Sequence, residues 1–180
     1  MLPEHEIFTP KEIGLDIDPN ETGTTFEENA LLKARSFAAY TDMTVLADDS
    51  GLQVESLNGE PGIYSARYCP KPGATDADRR ALLIENLRRS GAERPWKAQF
   101  YCAVAIVRPD GAEQLVHGVC KGEIIPEERG TGGFGYDPIF FVPEFGKTLA
   151  ELTGDEKNAI SHRGNAIKAV SSQLSAVSNE

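Results

Sequence analysis

The sequence predicts a single α/β folding unit over residues 1–180. Three observations carry this: an amphipathic helical pattern opening at Thr25, a long apolar hairpin pattern, and a second helical pattern near the end of the chain. With 180 residues and 40% apolar composition, the chain is long enough to bury one sizeable core, in one domain or two closely joined lobes. From residue 25 to about 40, Phe26, Ala30, Ala34 and Phe37 recur at spacings of three and four. Glu27 and Glu28 stand in the first turn, where the helix dipole favours acids. Residues 44–47 are a short β-favouring run, and Asp48-Asp49-Ser50-Gly51 after it reads as a turn, placing two carboxylates at a strand end.

A second helix is expected from Thr75, with Asp78 completing a capping pattern and Leu83, Ile84 and Leu87 turned inward until Gly91. Its role reads as structural. The almost wholly apolar run 98–107, the turn signal Arg108-Pro109-Asp110-Gly111 and the strand pattern 113–125 predict a long central hairpin. A short strand is expected over 139–142. In the C-terminal segment Ile160, Ile167, Val170, Leu174 and Val177 follow helical spacing. Thr153 and Glu156 form a capping box there, and Ser161 offers a second N-cap.

A net charge of −10 would repel a phosphate backbone over most of the surface, which argues against a sequence-independent nucleic-acid binder. A small anionic ligand is not excluded, because a metal ion and a few Lys or Arg side chains create a positive pocket inside an acidic protein. Cys69, Cys102 and Cys120 are odd in number and contain no CxxC pair; they read as buried reduced thiols. No signal-like opening and no bilayer-length apolar stretch are present, so a reducing cytoplasm is the expected location, with no membrane partner.

Two adjacent carboxylates after a strand, with a third on a helix, are the usual inventory of a magnesium site that also receives substrate phosphates. Asp48, Asp49 and Glu28 supply it. Neighbouring strand residues point to opposite faces, so Asp49 is assigned to the metal and the attacking water, and Asp48 to support. By itself an Asp-Asp pair before Ser-Gly is more often a solvated turn. The run Gly132-Gly133-Phe134-Gly135-Tyr136-Asp137-Pro138 combines glycines that let backbone approach a ligand, an aromatic able to stack on a base and a carboxylate able to accept from it. It reads equally as a glycine-rich turn whose aromatics fill the core. Lys157, His162 and Arg163 place three donors around a helix start, suited to an anion or an oxo group, or to a solvated basic face.

Together these pieces resemble the inosine/xanthosine triphosphate pyrophosphatase family from Glu21 to about Val170. The resemblance rests on Thr22-Gly23-Thr24-Thr25-Phe26-Glu27-Glu28-Asn29-Ala30 with Lys33, on Ala47-Asp48-Asp49-Ser50-Gly51-Leu52, and on Pro61-Gly62-Ile63-Tyr64-Ser65-Ala66-Arg67-Tyr68. It continues through Gly133-Phe134-Gly135-Tyr136-Asp137-Pro138 and Glu156-Lys157-Asn158-Ala159-Ile160-Ser161-His162-Arg163-Gly164. It implies hydrolysis of ITP, dITP and XTP to monophosphate and pyrophosphate. Glu28, with Asp49 and Asp48, would hold magnesium, or manganese on the same oxygen ligands, and Asp49 would activate water. Lys33 and Lys157 would face the phosphates, Phe134 would stack on the purine, and Asp137, His162 and Arg163 would hydrogen-bond the base. Ser50, Gly135 and Tyr136, in the same motifs, count with the substrate-binding residues. The implied fold is an elongated, two-lobed α/β structure with a long twisted mixed sheet flanked by helices and a cleft between the lobes, usually a homodimer.

Members of that family begin with a strand, a Thr/Ser-x-Asn-x-x-Lys phosphate loop and a helix. Here Met1 to Asp18 align with the segment beyond that helix, so about twenty residues, a strand, its loop and a helix, are expected to lie upstream of this start. The alternative expectation is a form that binds nucleotide without turning it over.

Overall fold

A computed structural model describes residues 5–177. The readings made for the first four residues and for the side chain of Val177 lie outside what is described. The described residues form four α-helices, α1 (Phe26–Ala38), α2 (Asp76–Arg89), α3 (Gly154–Ile160) and α4 (His162–Val177), joined by short 3-10 turns. Among the described residues five strands, β1 (Val45–Val54), β2 (Trp96–Val107), β3 (Glu113–Ile124), β4 (Phe140–Val142) and β5 (Lys147–Thr148), make one sheet in chain order. The β3/β4 and β4/β5 pairs are antiparallel. Among the described residues no helix is long and apolar enough to cross a membrane.

The helix starts follow from local chemistry. Thr25 caps α1 by accepting from the Glu28 amide, and Thr75 and Thr153 open α2 and α3 with full capping boxes closed by Asp78 and Glu156. Such a cap stabilises a helix by about 1 kcal/mol. The C-terminal pattern divides at Ser161, whose extended backbone (ψ 153°) stops α3 and turns the chain into α4. The hairpin is closed by the Gly111 amide donating to the Arg108 carbonyl (2.9 Å) and the Arg108 amide donating to that of Ala112 (2.9 Å).

The described residues group into two compact units, the first from 5–50, 102–118 and 162–177, the second from 51–101 and 119–161. In the first, α4 places Ala166 and Val170 against Leu46, Cys102, Val104, Ile106 and Val116. Gly118 permits this contact, because a Cβ there would stand 2.0 Å from the His162 carbonyl oxygen and 2.3 Å from the Ala166 nitrogen. An apolar cavity of about 560 Å³ also lies in this unit, bordered by Ile7, Phe8, Ile13, Phe37, Met43 and Leu46; none of the predicted site residues lines it. The second unit packs Leu83, Ile84 and Leu87 of α2 against Leu52, Val54, Phe100, Ile124 and Phe140.

One element differs from its sequence reading. Asp48-Asp49-Ser50-Gly51 is not a turn after a strand but the middle of β1, which continues through Leu52 to Val54. The turn-favouring composition is overridden because Leu52 and Val54 are fully buried in the second unit's core and keep the strand extended. Cys69 also departs from expectation: Cys102 and Cys120 are buried, whereas Cys69 is partly exposed.

Candidate active site

The first unit gathers one polar cluster around the start of α1 and the middle of β1. Asp49 accepts at Oδ1 from Lys33 Nζ (3.2 Å) and at Oδ2 from Asn29 Nδ2 (3.2 Å). Asn29 is fully buried, and its Oδ1 accepts from the Gly23 amide (2.9 Å), tying the turn before α1 to β1. Lys33 also donates to Glu21 (2.9 Å). Burial pushes the Asp49 carboxyl above its ordinary range, opposed in part by the Lys33 charge and the Asn29 bond. Burial acts against the Lys33 charge as well, but its bonds to Glu21 and Asp49 outweigh this and raise its pKa.

Glu28 turns back over the helix start, where its Oε2 accepts from the Thr24 amide (2.6 Å) and hydroxyl (2.9 Å). The amide bond, then the hydroxyl, hold its pKa below the ordinary value, so it is ionised at neutral pH.

Strand alternation separates the two aspartates. Asp48 accepts at Oδ2 from Ser50 Oγ (2.8 Å), two residues along on its own face, and from Arg163 Nε (3.2 Å) at the start of α4. Asp49, with Asn29 and Lys33, is turned to α1 instead. Among the described residues no group of three or more His, Cys, Asp or Glu side chains is gathered as a ready metal cage. Asp48 thus pairs with Ser50 and Arg163, and Asp49 with Asn29 and Lys33.

The second unit carries the other cluster. Asp137 is almost wholly buried, and its Oδ2 accepts from the Phe134 amide (2.8 Å) and from Lys157 Nζ (2.6 Å). Lys157 in turn lies 4.9 Å from the centre of the Phe134 ring, a cation–π contact. Phe134 itself is 63% exposed, a large aromatic face offered to solvent. The loop needs glycine at 133, where φ is +71° and a Cβ would fall 2.0 Å from Asp137 Oδ2. Tyr136 is buried, its hydroxyl donating to the Ser65 carbonyl (2.9 Å), so it anchors the loop and does not present a face. Gly135 is held through its amide by Asp76 and through its carbonyl by Arg80.

With both clusters in view, the comparisons with known proteins decide the family: the Ham1 family model matches residues 1–173. The chain belongs to the Ham1 family. A dITP/XTP pyrophosphatase of Bacillus anthracis is 49% identical over 156 residues, covering 86% of this chain and 76% of that protein. One from Staphylococcus aureus is 42% identical over 179 residues, covering 99% of this chain and 90% of its own length. The solved structure of a HAM1 protein from Coxiella burnetii superposes with a TM-score of 0.84 at 46% identity, covering 89% of this chain and 81% of that one.

Within this Ham1 chain the expected site residues fall into two sets. Glu28, Lys33, Asp48, Asp49, Ser50, His162 and Arg163 lie in the first unit; Phe134, Gly135, Tyr136, Asp137 and Lys157 lie in the second. Lys157, expected at the phosphates, donates to Asp137 and lies beside the Phe134 ring. His162 is buried at the start of α4, while Arg163 is exposed beside Asp48. Sequence reasoning missed Asn29, Asp76 and Arg80. Asn29 sat inside a quoted motif, and its burial on the Phe26–Ala30 side of the helix was the available signal. Asp76 and Arg80 are four apart near a helix start, a spacing that reads as a surface ion pair.

Proposed function

We propose that this chain hydrolyses non-canonical purine nucleoside triphosphates, ITP, dITP and XTP, to the monophosphate and pyrophosphate, and so keeps them out of DNA and RNA. The observation that carries this reading is Asp49, a half-buried carboxylate with each oxygen fixed by a separate donor, Lys33 and Asn29. Its kinship with dITP/XTP pyrophosphatases supplies the substrate class.

Glu28 and Asp49 are the pair suited to hold magnesium. Both offer hard oxygen ligands, and Asn29 and the Gly23–Thr24 turn link them. Magnesium characteristically takes one or two carboxylates and completes its shell with water and substrate phosphates, so the absence of a three-carboxylate cage among the described residues fits it. When bound, the ion neutralises charge on the departing pyrophosphate. Manganese would suit the same donors.

Asp49 orients a water and takes its proton as the water oxygen bonds to the α-phosphorus; the bond to the bridging oxygen breaks, and pyrophosphate leaves with that electron pair. Lys33 holds the carboxylate in place and adds positive charge for the phosphates. Phe134 offers its exposed face to the purine, and Lys157 and Asp137 fix the loop that carries it. Arg163, aimed by Asp48, with His162 beside it, supplies donors for the 6-oxygen of hypoxanthine and xanthine. Adenine presents an amine there and would leave a donor unpaired, which costs roughly 1–3 kcal/mol, or about tenfold to a hundredfold in selection. The family resemblance also makes a homodimer the expected assembly.

The deciding experiment measures monophosphate and pyrophosphate release from ITP, XTP, dITP, GTP and ATP with magnesium, beside the Asp49→Asn variant. Rapid turnover of the first three that vanishes in the variant supports the reading. Tight ITP binding with no pyrophosphate released would overturn it in favour of a binding protein.

A further inference from the structure

The loop that presents Phe134 is pinned by side chains from one helix, and that helix has no part in the scheme above. Asp76 Oδ2 accepts from the Gly135 amide (2.8 Å), and Arg80 Nη1 donates to the Gly135 carbonyl (2.7 Å). Both residues lie in the first two turns of α2, so one rigid face grips both polar groups of a single residue. Each grip is backed in turn. Arg79 donates to Asp76 Oδ1 (2.5 Å), and Glu128 receives the remaining fork of Arg80 at 2.8 and 3.0 Å. The preceding amide, that of Phe134, is held by Asp137.

We propose that Asp76 and Arg80 are positioning residues for the purine. By fixing the peptide that follows Phe134, they pre-set the backbone from which its ring projects. The ring itself is 63% exposed with Lys157 beside it, so the backbone beneath it contributes to setting its direction. A platform ordered before the ligand arrives spares the ordering cost at binding. Such a device stabilises ground state and transition state alike and appears in KM, leaving kcat in place. Because stacking is indifferent to the substituent at position 6, it also acts equally on every purine.

This inference rests on the function proposed above, and one kinetic experiment separates the two. KM and kcat for ITP, dITP and GTP are measured for the wild type, Asp76→Ala, Arg80→Ala and Asp76→Asn, with each Tm. Both alanine variants are expected to raise KM about three- to tenfold, with kcat held within about twofold and the ITP to GTP ratio unchanged. Asp76→Asn retains an acceptor for the Gly135 amide and should recover most of the wild-type KM. If Arg80→Ala does not fold, Arg80→Lys keeps charge and length but not the fork that reaches Glu128 and Gly135 together, and a KM rise of about threefold is expected. A wild type silent on all purine triphosphates removes the functional reading and this inference with it. An active wild type whose KM is unmoved in these variants, or variants in which kcat falls instead, overturns the positioning role alone.

Discussion

The two clusters solve the problem of holding a reactive group in different ways. In the first unit the key carboxylates stand on regular elements: Asp49 in the middle of a ten-residue strand and Glu28 in the first turn of α1, with a fully buried Asn29 between them. In the second unit the aromatic stands on a loop, held by side-chain bonds to consecutive backbone groups. A strand fixes its side chains through the sheet and tolerates little variation in their spacing. A loop held by hydrogen bonds is adjustable, residue by residue, by changing the side chains that grip it. On the function proposed above, chemistry common to all triphosphates sits on the rigid element, and the stacking platform for the purine sits on the adjustable one.

If that division is right, the largest effect should come from the strand. Asp49→Asn removes the proton acceptor while keeping shape, and kcat should fall by about a thousandfold, the midrange for loss of a general base. The fold should be retained with a fall in Tm of about 2–4 °C, because the amide keeps one acceptor for Lys33 or Asn29 and loses the other. Thermal melting beside single-turnover kinetics checks both halves; a loss confined to KM would place Asp49 in binding and break the comparison.

The loop should respond to a change too small to matter elsewhere. Gly133→Ala adds one methyl group, but to a residue at φ +71° and within 2.0 Å of Asp137 Oδ2. The left-handed backbone alone costs a residue with a Cβ about 1–2 kcal/mol, and the displaced Asp137 releases both the Phe134 amide and Lys157. A drop in Tm of about 4–8 °C is expected, with a rise in KM for ITP that exceeds any fall in kcat. A fall in kcat alone would show that the loop acts on the chemistry.

How far the sequence displayed these arrangements depends on the range of the contacts that make them. Helix starts at Thr25, Thr75 and Thr153 were legible because a cap is settled within four residues. The hairpin was legible because its turn residues and its alternation agree. By contrast, the sequence ends this strand at Ala47, since Asp, Ser and Gly favour turns locally, whereas the burial of Leu52 and Val54 that extends β1 is tertiary. Motif order pointed to Phe134 and Lys157 separately, but their contact, and the turn of Lys157 toward Asp137, join residues about twenty positions apart and leave no periodic trace. Asp76 and Arg80 were hidden for the same reason: each acts on a glycine more than fifty residues away.

The start of α2, from which the loop is gripped, brings a pH dependence that tests whether the second unit relies on that helix. Asp78 is held far below the ordinary carboxylate range, first by Lys71 and then by the Thr75 amide and hydroxyl. Since its folded pKa lies below the unfolded value of about 3.9, the charged cap adds stability at any pH above that value and loses it as pH falls further, toward the folded pKa. The Tm gap between wild type and Asp78→Asn should be steady from about pH 7 to 5 and close below about pH 4. If the gap instead widens in acid, the carboxylate is not the stabilising form.

The smallest expected effect compares the two units through their thiols. Cys102, in the first unit, is 3.9 Å from Asp48, and burial followed by the Asp48 charge, against an opposing Ser50 bond, pushes its pKa up to about 11. Cys120, in the second, is pushed up to about 11 by burial and then by the charges of Asp137 and Glu144. Both should be protonated and shielded at neutral pH. Cys69 is partly exposed. A thiol-specific chromogenic reagent at about pH 8, below both raised values, should therefore label Cys69 rapidly and the other two only on unfolding. If Cys102 alone joins Cys69, the strand region around Asp48 opens more readily than the loop region, and the contrast between a rigid first unit and an adjustable second would have to be reversed.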